Sequence, residues 1–156
     1  TCSRSVAGMC QRVFLPTIEE YQNEDSEACR RGLEKAKTVV CISDGALWIW
    51  AMVFLCFSTR IEILDWWHAV QRLWDIALGT YSPANAAPWV HQAKGWLARS
   101  QLRYLFRQVR QLYPRGTPLP EPVRQAIGYL FRNRHRMDYV TLRAIMYQAI
   151  TPKVRQ

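Results

Sequence analysis

The pattern of apolar and polar positions changes style near residue 79. Before it, short apolar runs alternate with helical stretches. Thr38-Val-Val-Cys-Ile-Ser43 is a compact β-branched run, the pattern of a buried strand, and Asp44-Gly45 ends it. Ala46 to Phe57 reads as a helix. Ile61-Glu-Ile-Leu64 reads as a second strand, ended by Asp65, and Trp66 to about Leu78 is helical again. An order of strand, helix, strand, helix predicts two parallel strands joined by a right-handed crossover. Upstream, residues 1–16 carry no period. Thr17 suits a helix N-cap, with Glu19, Glu20, Glu24 and Asp25 near the positive end and Arg30, Arg31, Lys35 and Lys37 toward the other. That helix is predicted to reach about residue 37. From Gly79 to Pro88 the chain reads as a loop. A long helix is predicted over 89–113, a Pro-rich break over 114–120, and helices over 121–134 and 139–150. The fold class is therefore α/β but predominantly helical: two parallel strands within residues 1–78, then a helical region over 79–156.

The segment 46–57 is apolar on every face. It has 12 residues, whereas roughly 20 are needed to cross a bilayer, and Asp44 and Arg60 bracket it closely. It is predicted to be a buried helix, and left uncovered it would be sticky. A small membrane-associated protein is the competing expectation.

Composition sharpens this picture. The chain has 156 residues, an apolar fraction of 49% and an aromatic fraction of 12%, which exclude a disordered chain. The net charge of +9 is not spread evenly. Residues 1–75 hold 8 basic and 10 acidic side chains; residues 76–156 hold 13 basic and 2 acidic. Of the 21 basic residues 17 are Arg, which suits a polyanion such as nucleic acid. Cys2, Cys10, Cys29, Cys41 and Cys56 are odd in number and lack C-x-x-C spacing, so a reducing compartment is expected. His68, His91 and His135 are too scattered for a structural zinc site. No G-x-S-x-G or phosphate-binding loop is present.

Two constellations bear on chemistry. Asp44 and Asp65 each stand at the C-terminal end of a predicted parallel strand, the edge where α/β sheets hold functional groups. Such a pair of carboxylates suits metal-dependent phosphoryl transfer. His68 follows Asp65 by one helical turn. Both acids equally suit turns or helix N-caps, and His68 equally suits a satisfied core or cap histidine. The second constellation is Arg99, Arg103, Arg107 and Arg110, spaced 4, 4 and 3 along the long helix. They fall within a sector of about 80°. Leu102, Leu105, Phe106, Val109 and Leu112 occupy another sector. Arg132, Arg134, His135 and Arg136 add a second cluster. Guanidinium forks bind phosphate with paired hydrogen bonds, so these residues are candidate backbone contacts. A solvated helix face is the plainer alternative. The seven tryptophans read chiefly as packing residues.

Val39-Val-Cys-Ile-Ser-Asp-Gly-Ala-Leu-Trp-Ile-Trp50, with Ile63-Leu-Asp-Trp-Trp-His-Ala-Val-Gln-Arg-Leu-Trp74, resembles bacterial insertion-sequence transposases of the Kra group. Arg31-Gly-Leu-Glu-Lys-Ala-Lys37 and Asn133-Arg-His-Arg-Met-Asp-Tyr139 are also similar to that family. The resemblance runs from about residue 18 to residue 149. It implies an RNase H-like DDE catalytic domain that cleaves and joins DNA with Mg²⁺ held by two Asp and one Glu. Asp44 matches the second catalytic Asp and would be the metal ligand here. Asp65 and His68 match a family signature. The arginine-rich helices match the insertion that precedes the catalytic Glu. The departures are as telling. Residues 1–16 lack the first catalytic Asp strand, the Glu segment is not present, and Gln71 and Arg72 replace an acid and a His. The expectation is a fragment or remnant of a transposase catalytic domain, cut at both ends and inactive alone. It would be bacterial, cytoplasmic and nucleoid-associated, prone to self-association, with DNA as partner and no small-molecule substrate or membrane. A non-catalytic helical nucleic-acid-binding module is the alternative.

Overall fold

A computed structural model of the chain describes residues 11–13, 33–36, 38–114 and 116–150. It is predominantly helical with a small sheet. The elements are β1 (Gln11–Val13), a 3-10 turn (Leu33–Lys35), β2 (Val39–Ser43), α1 (Leu47–Cys56), β3 (Arg60–Leu64), α2 (Trp66–Thr80), α3 (Pro83–Ala98), α4 (Leu102–Leu112), α5 (Glu121–Arg132), a 3-10 turn (Arg134–Arg136) and α6 (Tyr139–Ile150). The chain divides into two compact units. One comprises the described residues up to Ile63 and from Leu142 onward; the other is Leu64–Thr141. The division falls inside β3 and α6.

In the first unit the sheet order is β1-β2-β3. β1 pairs with β2 in parallel, Gln11 opposite Val39 and Val13 opposite Cys41. Both expected strands are present, within a residue of their predicted bounds. β1 is an addition: three residues, Gln-Arg-Val, carry too short an alternation to register as a period. Val39 and Cys41 pack with Leu33, Trp50, Val53 and Phe57. Of α1 only Trp50 and Val53 are buried, while Leu47, Trp48, Phe54 and Leu55 are exposed. A helix apolar all round has no preferred face, so its sequence does not say which side turns inward. Among the described residues no helix is long and apolar enough to cross a membrane. The helix expected over 17–37 lies outside the described residues apart from the 3-10 turn.

The second unit is built on α2, which packs against α3 and α5. Its inner stripe is Ala69, Val70, Leu73, Ile76 and Ala77, all buried. The facing stripes are Ala86, Val90, Ala93 and Leu97 on α3 and Val123, Ala126 and Leu130 on α5. Each buried Leu or Val of this core contributes about 1.5–3 kcal/mol relative to exposure. Gly79 lets α5 come close: a Cβ there would collide with the Cγ2 of Val123. The Tyr113 hydroxyl bonds the Gly79 carbonyl and the Thr80 hydroxyl, at 3.2 and 2.6 Å.

One predicted element is corrected. The long helix over 89–113 is two helices, α3 and α4, and α3 starts six residues early, inside the expected loop. Pro83 suits a first helical position, where its missing N–H costs nothing. The stripe at Ala86, Val90, Ala93 and Leu97 then carries the helix through Pro88. The break follows Ala98. Ser100 takes φ +54°, its N–H bonds the Leu97 carbonyl, and the Gln101 N–H bonds the Trp96 carbonyl. This is a Schellman ending with serine where glycine is usual. Local signals did not announce it because its stabilising partner lies 38 residues on.

Candidate nucleic-acid interface

α4 is sharply two-sided. Leu105 and Val109 are buried, and Arg103, Arg107 and Arg110 are exposed on the opposite face. Their spacing of four and three holds these arginines within about 60°. The apolar face fixes which way α4 lies, and so aims the three guanidinium groups outward.

They line an open groove of ≈ 1570 Å³, which α4 shares with Tyr113, Pro114, Gly116, Thr117, Leu119 and α5. Arg134 and His135 also line it, with the aromatic rings of Trp96, Tyr104, Phe106 and Phe131. Trp96 and Tyr104 meet edge to face at 5.0 Å, and Phe106 and Phe131 do so at 5.9 Å. The Arg134 guanidinium lies 4.3 Å over the Phe131 ring, and its NH1 donates to the Phe131 carbonyl.

The remaining candidate arginines stand elsewhere. Arg99 caps α3, and its Nε donates to Gln101 Oε1 at 3.4 Å. It is not on the α4 helix, so the predicted stripe of four is a stripe of three. Arg132 is exposed at the end of α5 but does not line the groove. Arg136 turns inward, donating to the Oδ1 of the buried Asn133 at 3.2 Å. The groove aromatics are the feature sequence reasoning missed. Their signal was present as Tyr104 and Phe106 interleaved with Arg103, Arg107 and Arg110.

Carboxylates are used elsewhere in the fold. Arg60 pairs with Glu62 at 2.8 Å, Arg72 with Asp75 at 2.8 Å, and Arg124 with Glu121 at 2.6 Å. Hydrogen bonds from Arg124 and Gln125 hold the Glu121 carboxyl below the usual range. Among the described residues no carboxylate lines the groove, and Arg103, Arg107 and Arg110 make no ion pair. Among the described residues no carboxylate compensates their charge.

The turn before α4 is locked from afar. Asp138 N-caps α6: its Oδ1 accepts the Thr141 N–H and its Oδ2 the Thr141 hydroxyl. Oδ1 also accepts the Ser100 hydroxyl at 3.1 Å, while Ser100 Oγ accepts the Val140 N–H. The Thr141 bonds, and then Ser100, hold the Asp138 carboxyl below its ordinary range. Next to it, burial and the nearby Asp65 charge push the Tyr139 phenol upward, and its hydroxyl donates to the Leu64 carbonyl at 3.0 Å.

The expected catalytic residues take structural positions. Asp44 is exposed just past β2, and its Oδ1 accepts the Ser43 hydroxyl and the Ala46 N–H. Gly45 at φ +89° completes that turn. Asp65 N-caps α2, its Oδ2 accepting the N–H groups of Trp67 and His68. The same oxygen meets His68 Nδ1 at 3.0 Å. Asp44 belongs to the first unit, and the Asp65–His68 pair to the second. Among the described residues no group of three or more His, Cys, Asp and Glu is placed to hold a metal ion. A single carboxylate such as Asp44 does not fit the two-ion Mg²⁺ centre expected of it.

No protein-family model, curated protein or solved structure matches the chain.

Proposed function

We propose that the chain binds DNA through the arginine-lined groove of its helical unit and does not cut it. The observation that carries this reading is the groove itself: Arg103, Arg107, Arg110 and Arg134 converge on it without a lining carboxylate among the described residues. Phosphate oxygens are the complement of such a surface, and binding through them is salt-sensitive and weakly sequence-selective. Resemblance to Kra-group transposases supports DNA as the polyanion and a remnant of a DDE catalytic domain as the wider context. The single matched carboxylate supports inactivity, and no step is routed through Mg²⁺. On this reading the chain works on bacterial DNA in the cytoplasm, at the nucleoid, without a small-molecule substrate.

Fluorescence anisotropy with labelled DNA across a salt series tests the proposal. Replacing Arg103, Arg107, Arg110 and Arg134 by Ala is expected to weaken binding. It should also flatten the salt slope by roughly 0.7–0.9 for each phosphate no longer neutralised. An unchanged affinity and slope would sink the reading. Mg²⁺-dependent nicking that disappears in Asp44→Ala would overturn the claim of inactivity.

A further inference from the structure

The groove joins two recognition elements that a duplex does not use together. Arginines suit backbone phosphates of any strand. Exposed aromatic rings beside them suit base faces, and in a duplex those faces are already stacked on one another. Tyr104 is 46% exposed and Phe131 is 54% exposed, and both line the groove. Each ring has a T-shaped aromatic neighbour, Trp96 for Tyr104 and Phe106 for Phe131. A ring so flanked loses little freedom when a base stacks on it. The Arg134 guanidinium, already layered over Phe131, adds a flat cationic surface of the kind that stacks on bases.

Size points the same way. Pockets for small ligands run to roughly 300–1,000 Å³. This groove measures ≈ 1570 Å³ and is open, which suits a length of polymer rather than one small molecule. On α4, Tyr104 lies three residues before Arg107 and about 60° around the helix from it, so its ring borders the strip of guanidinium groups. That is the arrangement of a single-strand channel, in which cations follow the backbone and rings take successive bases.

We infer that the groove prefers an unpaired DNA strand over a duplex, with Tyr104 and Phe131 as base platforms and Arg103, Arg107 and Arg110 on the phosphates. This inference rests on the DNA-binding reading and goes beyond it by naming the form of DNA.

The test compares a labelled 20-nucleotide strand with its 20-base-pair duplex on the full chain at matched salt. The single strand is expected to bind at least tenfold more tightly. Tyr104→Ala and Phe131→Ala are each expected to weaken single-strand binding by roughly 5- to 150-fold. Duplex binding should fall less than single-strand binding in both variants, and Tyr104→Phe should keep the preference. Both rings are exposed, so circular dichroism should confirm an unchanged fold. Equal or tighter duplex binding, or alanine variants that leave single-strand binding unchanged, would overturn the inference. Arginine variants that change neither form would instead remove the parent reading, so the two failures are separable.

Discussion

Helices α1 and α4 make opposite use of their outer faces. Both bury a narrow stripe, Trp50 and Val53 in one, Leu105 and Val109 in the other. α1 presents Leu47, Trp48, Phe54 and Leu55 to solvent, and α4 presents Arg103, Arg107 and Arg110. The difference teaches how much of an interface a pattern can specify. In α4 the polar and apolar positions disagree, so burial of one set determines where the other points. In α1 they do not disagree, and orientation is left to the packing of β2 and Phe57 around it.

The comparison is broken most strongly in the core of the helical unit. Leu73 is fully buried on α2, and Leu73→Ala is expected to cost about 2–5 kcal/mol in urea unfolding. Leu55→Ala, at a side chain 78% exposed on α1, should stay within about 0.5 kcal/mol. Comparable losses at both sites would mean that α1 is covered as α2 is. Next comes Gly79→Ala, whose new methyl meets Val123 and is expected to cost about 1–3 kcal/mol by the same measurement.

Removing the Asp138 cap has a smaller effect. Asp138→Ala is expected to cost about 1 kcal/mol, typical of an N-cap. The effect carries a pH signature. The native carboxyl titrates below its ordinary value, so its contribution is full above the normal Asp range. It drains away as pH falls through the lower native value. Melting temperatures of wild type and variant should therefore converge in acid, and a gap independent of pH would refute the cap's ionic character.

The smallest stability change, and the sharpest contrast, is expected on α1. Leu47→Gln with Leu55→Gln should leave stability nearly unaltered while reducing self-association in sedimentation velocity. Association that is unaffected would show that this apolar face is not what joins copies of the chain.

How far the sequence could be read follows from where each signal is stored. β2 and β3 were legible because β-branched runs ended by Asp are local features. α6 was legible to its ends, although the Asp138 cap that starts it was not read from the sequence. The break at Arg99–Gln101 was not, because Ser100 in a left-handed conformation is supported by Asp138 and Val140. The arginines of the groove could be picked out by spacing. Their neighbours Trp96 and Phe131 could not, because they reach the site from other helices. Asp44 and Asp65 were correctly placed after strands, but strand-end acids serve turns and caps as well as metals, and here their oxygens accept backbone N–H groups.

The lock between Ser100 and Asp138 also sets an order of events. A chain made from its N-terminus releases α4 and its arginines long before Asp138. Until that residue arrives, the Ser100 turn between α3 and α4 has only its local bonds and lacks its Asp138 partner. If the groove binds DNA as proposed, its arginine-bearing wall is completed by a side chain that does not line it, and Asp138→Ala should lower affinity from a distance.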